Sequence, residues 1–560
     1  MIGNDESPAD MVERVSKTLF KIEEKFGTSK NEIQNLTEDF EKLILQRQLA
    51  LSTPIITNTG RHLNKPLSAC TVIPLDLQTN LNSLRKSIAQ AHMDGMGTGF
   101  NLDKVEEPIQ MLRVLNDIAN EITDAGKEER PVGNIAIMSV HNPKIKEFIS
   151  IKEGSDNRNE VWKFNLSVNI TKEFMEKLRQ NEKYRLLDEQ MISADEIFNK
   201  IAEKAHVSGD PGILFMHRFE GDNQTPSLGK YESVAPCGEV GLMVGEACQF
   251  GSINLGRFVK KDAKGKSIDY EAMNRAVRLL TRALDNSLEI SLSLYSEANT
   301  RSVMSARRKI GVGICGLADL LGQLHLSYDS EEARSKAVEV ISFINYVSKL
   351  ESHELAKKRG SFNVLPLSRY LESPGFIESK YEKNGTELVT GEMWKDLADK
   401  IRDSRLLRNV STMALPPTGR SATIVDASQG IEPFFTLIDS SGTVNRYLYE
   451  ELMEVGKSDL GIIQEIRKAG SIRNVDGIPE AIKISYKTGL EIEPYNQIRM
   501  CFEVQNVVDE AISKTINLPK NSTVKEIQQI YLNGYEMGLK GITVFREGSR
   551  IQQPKKLALV

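Results

Sequence analysis

Short apolar runs alternate with long amphipathic stretches along most of this chain, and that alternation narrows its folds more than any other feature. "NIAIMSV", "KFNLSVNI", "GILFMH", "GSINL", "ALPPTGRSATIV" and "GITVF" read as strands. Between several of them lie stretches such as "YEAMNRAVRLLTRALDNSLEISLSLYSEA" and "EARSKAVEVISFINYVSKLESHELAKKRG", with apolar residues at three- and four-residue spacing. Strands separated by helices imply parallel crossovers and an α/β sheet or barrel. The length of 560 residues admits roughly two to four domains, or one large α/β barrel with extensions. Residues 1–50 read as an N-terminal helical segment, and a Ser/Thr/Pro/Gly-rich turn then leads into a β-like run around Cys70. Residues 549–560 read as a loose tail.

Charge and hydropathy remove several classes of function. A net charge of −5, with no Lys/Arg run, gives no footprint for nucleic acid. No apolar run approaches the roughly 20 residues that cross a bilayer. The opening "MIGNDESPADM" lacks the basic and apolar regions of a signal peptide. The expectation is a cytoplasmic protein with neither nucleic-acid nor membrane partners.

Five cysteines, spread along the chain and without a CxxC, make neither a disulfide framework nor a zinc site, so no metal is expected. Cys315 and Cys501 sit in apolar settings and read as packing residues. Cys237 stands between Pro236 and Gly238, two residues before Glu239. That arrangement is either a solvent turn or a thiol held beside a general base. Cys70 ("SACTV") and Cys248 ("EACQF") occupy strand-like settings that suit a facing dithiol, or are two unrelated buried thiols. "PPTGRSATIVDASQGIEP" offers hydroxyls and backbone N–H groups to a phosphate, or is an ordinary turn; it lacks the P-loop spacing. "MDGMGTGFNLDKV" has no strand before it and no acidic partner at the right distance, so dinucleotide binding is rejected.

Taken in order from about residue 10 to residue 550, these segments resemble the large catalytic chain of the ribonucleotide reductases, most nearly the adenosylcobalamin-dependent class II. "SACTVIPL", "GTGFNL", "SVHNPKIKEFI", "KFNLSVNITKEFM", "PCGE…EACQFGSINLG", "RRKIGVGICGLADLL", "PPTGRSATIVDASQGIEP", "SKTINLP" and "LKGITVFREGSR" carry the likeness. The resemblance implies a ten-stranded α/β barrel over 51–548 with a central finger loop near 232–257. Cys237 would carry a thiyl radical, Glu239 would be the base, and Cys70 with Cys248 would supply reducing equivalents and become a disulfide. Thr53, Ala69, Gly97, Gly99, Ala235 and the turn Pro417, Thr418, Gly419, Arg420 and Ser421 fall at substrate-binding positions. The implied partners are a ribonucleoside di- or triphosphate and an external thiol reductant such as thioredoxin, and a homodimer is compatible with the family. The radical source implied is adenosylcobalamin. There is no adjacent tyrosine pair near the C-terminus, since Tyr531 and Tyr535 lie in a helix-like run, and no glycyl-radical segment.

Three departures from the family qualify that reading. Ala235 stands where the family usually has Asn. The stretch after "GTGFNLDKV" lacks the longer Ser/Thr/Gly-rich segment that helps to read an effector nucleotide. The tail ends without a CxxC that would re-reduce the site. They sustain two alternatives to the reductase: a divergent radical enzyme acting on a modified nucleotide, and a non-catalytic nucleotide-binding paralogue.

Overall fold

A computed structural model describes residues 6–62, 64–128, 130–154, 160–263, 265–439 and 441–549. Five strands, Cys70–Val72, Gly97–Asn101, Asn134–Ser139, Phe164–Asn169 and Gly212–Leu214, pair in that order, each parallel to the next. Helices such as Leu81–Met93, Pro108–Asp124 and Ala194–Ser208 make the crossovers. This is the connection that parallel pairing requires.

A second set of five runs the other way. Gly541–Arg546 lies antiparallel to Gly212–Leu214 and parallel to Thr515–Leu518. Just before Thr515, Ile512 bridges to Leu415, and Met413 bridges to Val312 of the strand Gly311–Cys315, both in parallel sense. Gly311–Cys315 is parallel to Phe250–Asn254. One residue before Phe250, the strand Ala247–Cys248 returns antiparallel to Cys70–Val72. The pairings therefore close on themselves as two parallel halves of five strands, joined at two antiparallel seams. The ten-stranded α/β barrel expected from the sequence is this ring.

Its helical jacket buries the apolar faces seen in the sequence. Tyr270–Ser291 packs along Glu331–Arg359, and both are largely buried. The N-terminal helices Pro8–Lys21 and Lys30–Leu45 pack on each other, with Phe20 and Phe40 in ring contact. The helical segment read as 1–50 ends earlier than expected, because Leu49–Leu51 is a strand antiparallel to Phe250–Asn254.

Two other expectations are corrected. "ALPPTGRSATIV" is not a strand: pairing stops at Leu415, Pro416 and Pro417 have no N–H to donate, and Gly419–Ile424 is helical. The glycine-rich "GTGFN" is itself a strand of the ring. Residues 434–486 form a second small core together with Ala318 of the helix Leu317–Gln323, in which Leu437, Leu448, Leu452, Ile466 and Tyr486 are buried. The expected tail over 549–560 lies, beyond Ser549, outside the described residues. Among the described residues no helix is long and apolar enough to cross a membrane.

Candidate active site

The finger loop is a short hairpin that crosses the interior of the ring. Ser233–Val234 pairs antiparallel with Gly241–Leu242. At the tip, Ala235 N–H donates to Val240 O (3.0 Å) and Gly238 N–H to Ala235 O (2.8 Å). Gly238 has φ +76°, a left-handed conformation that costs glycine nothing.

The wall of the first half is cut back to admit the hairpin. A Cβ on Gly97 would lie 2.4 Å from Gly133 O and 3.1 Å from Pro236 Cγ, and one on Gly99 would lie 2.5 Å from Val234 O. Neither position accepts a side chain. Asn165 Nδ2 donates to Pro236 O at 3.1 Å, and from the other half Ala511 N–H donates to Glu239 O at 2.9 Å. The loop is thus pinned to both halves.

This brings four of the expected residues together. Cys70 and Cys248 are direct partners across the antiparallel seam, both with free thiols, and Cys248 Sγ lies 3.8 Å from Cys70 O. Opposed residues in such a ladder have Cα atoms about 4.5–5.5 Å apart, within the span a disulfide needs. Cys237 is exposed at the finger tip, between the buried Pro236 and Glu239. Burial pushes its thiol pKa well up; the Glu239 and Cys70 charges add to the rise and Arg130 opposes it. The Cys248 thiol is raised likewise, by burial first and then by its hydrogen bond with Cys70. Glu239 is buried, its Oε2 has no hydrogen-bond partner, and burial lifts its carboxyl to about 7. Neutral thiols beside a carboxyl poised near neutrality suit hydrogen-atom and proton transfer better than thiolate chemistry.

The remaining expected residues fall around this centre. Ala69 is buried beside Cys70, and its carbonyl accepts from Gly97 N–H (2.9 Å) and Arg130 Nη2 (3.1 Å). Ala235 is fully buried in an apolar cluster with Val72, Leu242, Phe250 and Ala414. Thr53 opens the helix Thr53–Asn58, and Pro417–Ser421 forms a second group close by, since Gly419–Ile424 packs on the strand Leu49–Leu51. Thr418 takes φ 58°, uncommon for a non-glycine residue; its hydroxyl donates to Pro417 O and accepts from Gly430 N–H. Ser421 donates to Thr418 O, and Arg420 is exposed.

Sequence reasoning missed the buried charges beneath the finger. Lys309 Nζ donates to Gly241 O (2.8 Å) and pairs with Glu510 (3.1 Å) and Glu246 (3.5 Å). Arg307 pairs with Glu246 at 2.7 Å, and both are fully buried. The signal was present in "RRK" directly before an apolar strand, because three cations there must find acidic partners inside the protein. Among the described residues no group of three or more His, Cys, Asp or Glu could hold a metal.

A two-halved α/β ring, threaded by a cysteine-tipped finger and carrying a facing thiol pair on one seam, defines a thiol-centred barrel protein. The family described as "Ribonucleotide reductase, barrel domain" matches residues 68–545, and this chain belongs to that family. A vitamin B12-dependent ribonucleoside-diphosphate reductase of Mycobacterium tuberculosis (strain CDC 1551 / Oshkosh) is 29% identical over 575 residues, covering 97% of this chain and 76% of that protein. The enzyme of the same name from Thermoplasma acidophilum is 30% identical over 544 residues, 92% of this chain and 65% of its own. Among solved structures, an Actinobacillus ureae class Id ribonucleotide reductase alpha subunit superposes with a TM-score of 0.77 at 17% identity, over 98% of this chain and 95% of that one. That likeness bears on the fold.

Proposed function

We propose that this chain is an oxidoreductase that converts ribonucleotides to 2′-deoxyribonucleotides, with a thiyl radical on Cys237, adenosylcobalamin as radical source and Cys70/Cys248 as the dithiol. The observation that carries the proposal is the convergence of Cys237, Glu239 and the facing Cys70–Cys248 pair where the finger meets the seam. Relatives named vitamin B12-dependent support the cofactor. The accessible, neutral Cys237 thiol fits it as a hydrogen-atom donor. Adenosylcobalamin, when bound, supplies by Co–C homolysis an organic radical able to take a hydrogen atom from a thiol.

In the scheme proposed, the Cys237 sulfur radical removes the ribose 3′-hydrogen and Glu239 takes the 3′-hydroxyl proton. The 2′-hydroxyl then leaves as water with a proton from the dithiol. A hydrogen atom to C2′ and an electron to the 3′-carbonyl pass from Cys70 and Cys248, which close to a disulfide; Glu239 returns its proton to the 3′-oxygen, and Cys237 returns its hydrogen atom to C3′. The sum is ribonucleotide plus dithiol to deoxyribonucleotide, water and disulfide. Thr53, Ala69, Gly97, Gly99 and Ala235 are assigned to the ribose side, and Pro417–Ser421 to the substrate phosphates. The left-handed Thr418 supports that last assignment, since strained backbone concentrates at functional turns. The proposal extends to residues 49–548 as the catalytic unit, with the helices Pro8–Lys21 and Lys30–Leu45 as its preface, working in the cytoplasm with an external thiol reductant such as thioredoxin.

Incubation with adenosylcobalamin, dithiothreitol and each ribonucleoside di- and triphosphate tests it. Deoxynucleotide is the expected product, and none from any substrate would refute the reductase. Ala235 favours the second reading, a radical enzyme for a modified nucleotide, because its methyl group in an apolar cluster offers nothing polar to a ribose. A rearranged, unreduced product from the same incubations would select it.

A further inference from the structure

The two strands that carry Cys70 and Cys248 are held by a polar cluster that the proposed reaction does not use. Gln249 directly follows Cys248, and Ser68 stands two residues before Cys70. Gln249 Nε2 donates to Ser68 Oγ at 2.9 Å, to Tyr295 Oη at 3.2 Å and to Ser291 Oγ at 3.3 Å, while its Oε1 accepts from Ser287 Oγ at 3.3 Å. Ser68 Oγ and Tyr295 Oη are 2.5 Å apart. Ser291 Oγ accepts from Leu67 N–H at 2.9 Å. Ser68, Gln249, Ser287 and Ser291 are fully buried and Tyr295 nearly so.

The seam needs such a strut. Its ladder pairs only Cys248 with Cys70 and Ala247 with Thr71, flanked by backbone bonds from Ala69 N–H to Cys248 O (3.0 Å), Val72 N–H to Glu246 O (3.3 Å) and Gly245 N–H to Val72 O (2.9 Å), so the register of the two cysteines rests on few contacts. The cluster adds a third body, since Ser287 and Ser291 lie on the helix Tyr270–Ser291 and Tyr295 just beyond it. A buried network whose members are all hydrogen-bonded fixes the relative position of what it joins. It carries no charge, so it does so without placing an ion beside the two thiols.

We propose that Gln249, with Ser68 and Tyr295, is a positioning set that fixes the separation of Cys70 and Cys248 and so sets the equilibrium between dithiol and disulfide. This rests on the reading of Cys70 and Cys248 as the redox pair. Closure forms one S–S bond and releases two protons and two electrons. In the test the acceptor is glutathione disulfide, which becomes two glutathione thiols. A looser seam lowers the effective concentration of one thiol at the other and weakens the disulfide.

The full-length protein is equilibrated in glutathione buffers of graded ratio, quenched with an alkylating reagent, and the peptides holding Cys70 and Cys248 are read by mass spectrometry. The wild type is expected to show one two-electron transition linking them. Gln249→Met, close in volume but without the amide, is expected to lower the disulfide equilibrium constant about tenfold, a midpoint roughly 30 mV less reducing. Tyr295→Phe, which removes one hydroxyl from an intact ring, is expected to shift it about threefold in the same direction. Folded variants with the wild-type midpoint would overturn the positioning role while leaving the dithiol intact. A wild type that never links Cys70 to Cys248 would overturn the dithiol itself. Should Gln249→Met not fold, Tyr295→Phe and Ser68→Ala decide the question.

Discussion

Two carboxylates of one protein, both buried, are driven in opposite directions here, and the contrast shows what a single residue needs from its surroundings. Glu246 would be raised by burial, but the Arg307 and Lys309 charges outweigh that and hold it below the usual carboxylate range. Glu239 has no such partner and is lifted from 4.5 to about 7. A base works when deprotonated, so turnover is expected to rise as pH climbs through about 7, a limb that Glu239→Gln should erase together with about 10²–10⁴-fold of rate. A pH–rate profile of both proteins checks this. The linkage sign is opposite for stability. The folded carboxyl keeps a proton that the unfolded chain has lost, so its contribution is present below about 4.5 and lost as pH rises to about 7. Glu239→Gln should therefore be the more stable protein above pH 7, read as a higher urea midpoint. Cys237→Ser should abolish deoxynucleotide formation, and retention of activity would end the radical assignment. Pro236 and Gly238 mark Cys237 and Glu239 in the sequence as either a plain turn or a thiol beside a base, and it is the family resemblance that selects the second reading. The place of Arg130, whose charge opposes the rise at Cys237, was not legible, since nothing in "KEERPVGN" tells that its guanidinium reaches Ala69 O from a separate loop.

Elements position these residues through backbone proximity, and sequence shows that only as glycine. Gly97 and Gly99 were read from resemblance as part of a substrate stretch; the structure gives them the further task of letting the finger lie against the wall. Gly97→Ala would drive a methyl group into Gly133 O and Pro236, which must move the hairpin tip. The expected outcome is a stability loss of about 1–3 kcal/mol together with loss of turnover. Urea denaturation and product assays measure the two. The strands Asn134–Ser139, Phe164–Asn169, Phe250–Asn254 and Gly541–Arg546 were predictable from their apolar runs, whereas glycines hid Gly97–Asn101 and Gly311–Cys315. The segment 510–513 was not predictable, because it joins its neighbour by the single bridge Ile512–Leu415, and 413–415, bridged once on each side, is too short to show where its strand stops. The helical lobe over 434–486 was also illegible: its short helices Arg446–Glu454 and Leu460–Ala469 bury few residues each, and their common core exists only once they are assembled. A small second core opens at lower cost than the ring's jacket. Amides in those two helices are expected to exchange with solvent well before those of Tyr270–Ser291, and uniform protection would show instead that the lobe and ring unfold as one.

At the scale of the molecule, the ring closes through the short segments 411–415 and 510–513, joined by backbone bonds such as Glu510 N–H to Met413 O (3.2 Å) and Leu415 N–H to Ala511 O (3.1 Å), and Asp509 is placed to reinforce that junction. Its carboxylate accepts from Thr412 N–H (2.8 Å) and Met413 N–H (3.2 Å) of the neighbouring segment, as a strand carbonyl would. It also takes Lys349 Nζ at 2.7 Å from the helix Glu331–Arg359, and the hydroxyl of Tyr381. Two residues on, Ala511 N–H holds Glu239 O, so the same short segment ties ring closure to the finger tip. Burial alone would raise the Asp509 pKa; Lys349 and the converging donors outweigh it and hold the carboxyl well below the usual range. The sign follows: a depressed carboxyl gives stability that is full above its unfolded value near 4 and drains away as pH falls below it. Asp509→Asn keeps the shape but leaves Lys349 buried without a counter-charge, which costs about 3–5 kcal/mol. The urea midpoint of the variant at pH 7 should therefore fall well below that of the wild type, with a shallower further decline below pH 4, and turnover should fall with it because the Glu239 anchor is disturbed. Equal midpoints at pH 7 and parallel acid limbs would mean that the backbone bonds hold the ring unaided, and that closure and catalysis are built separately.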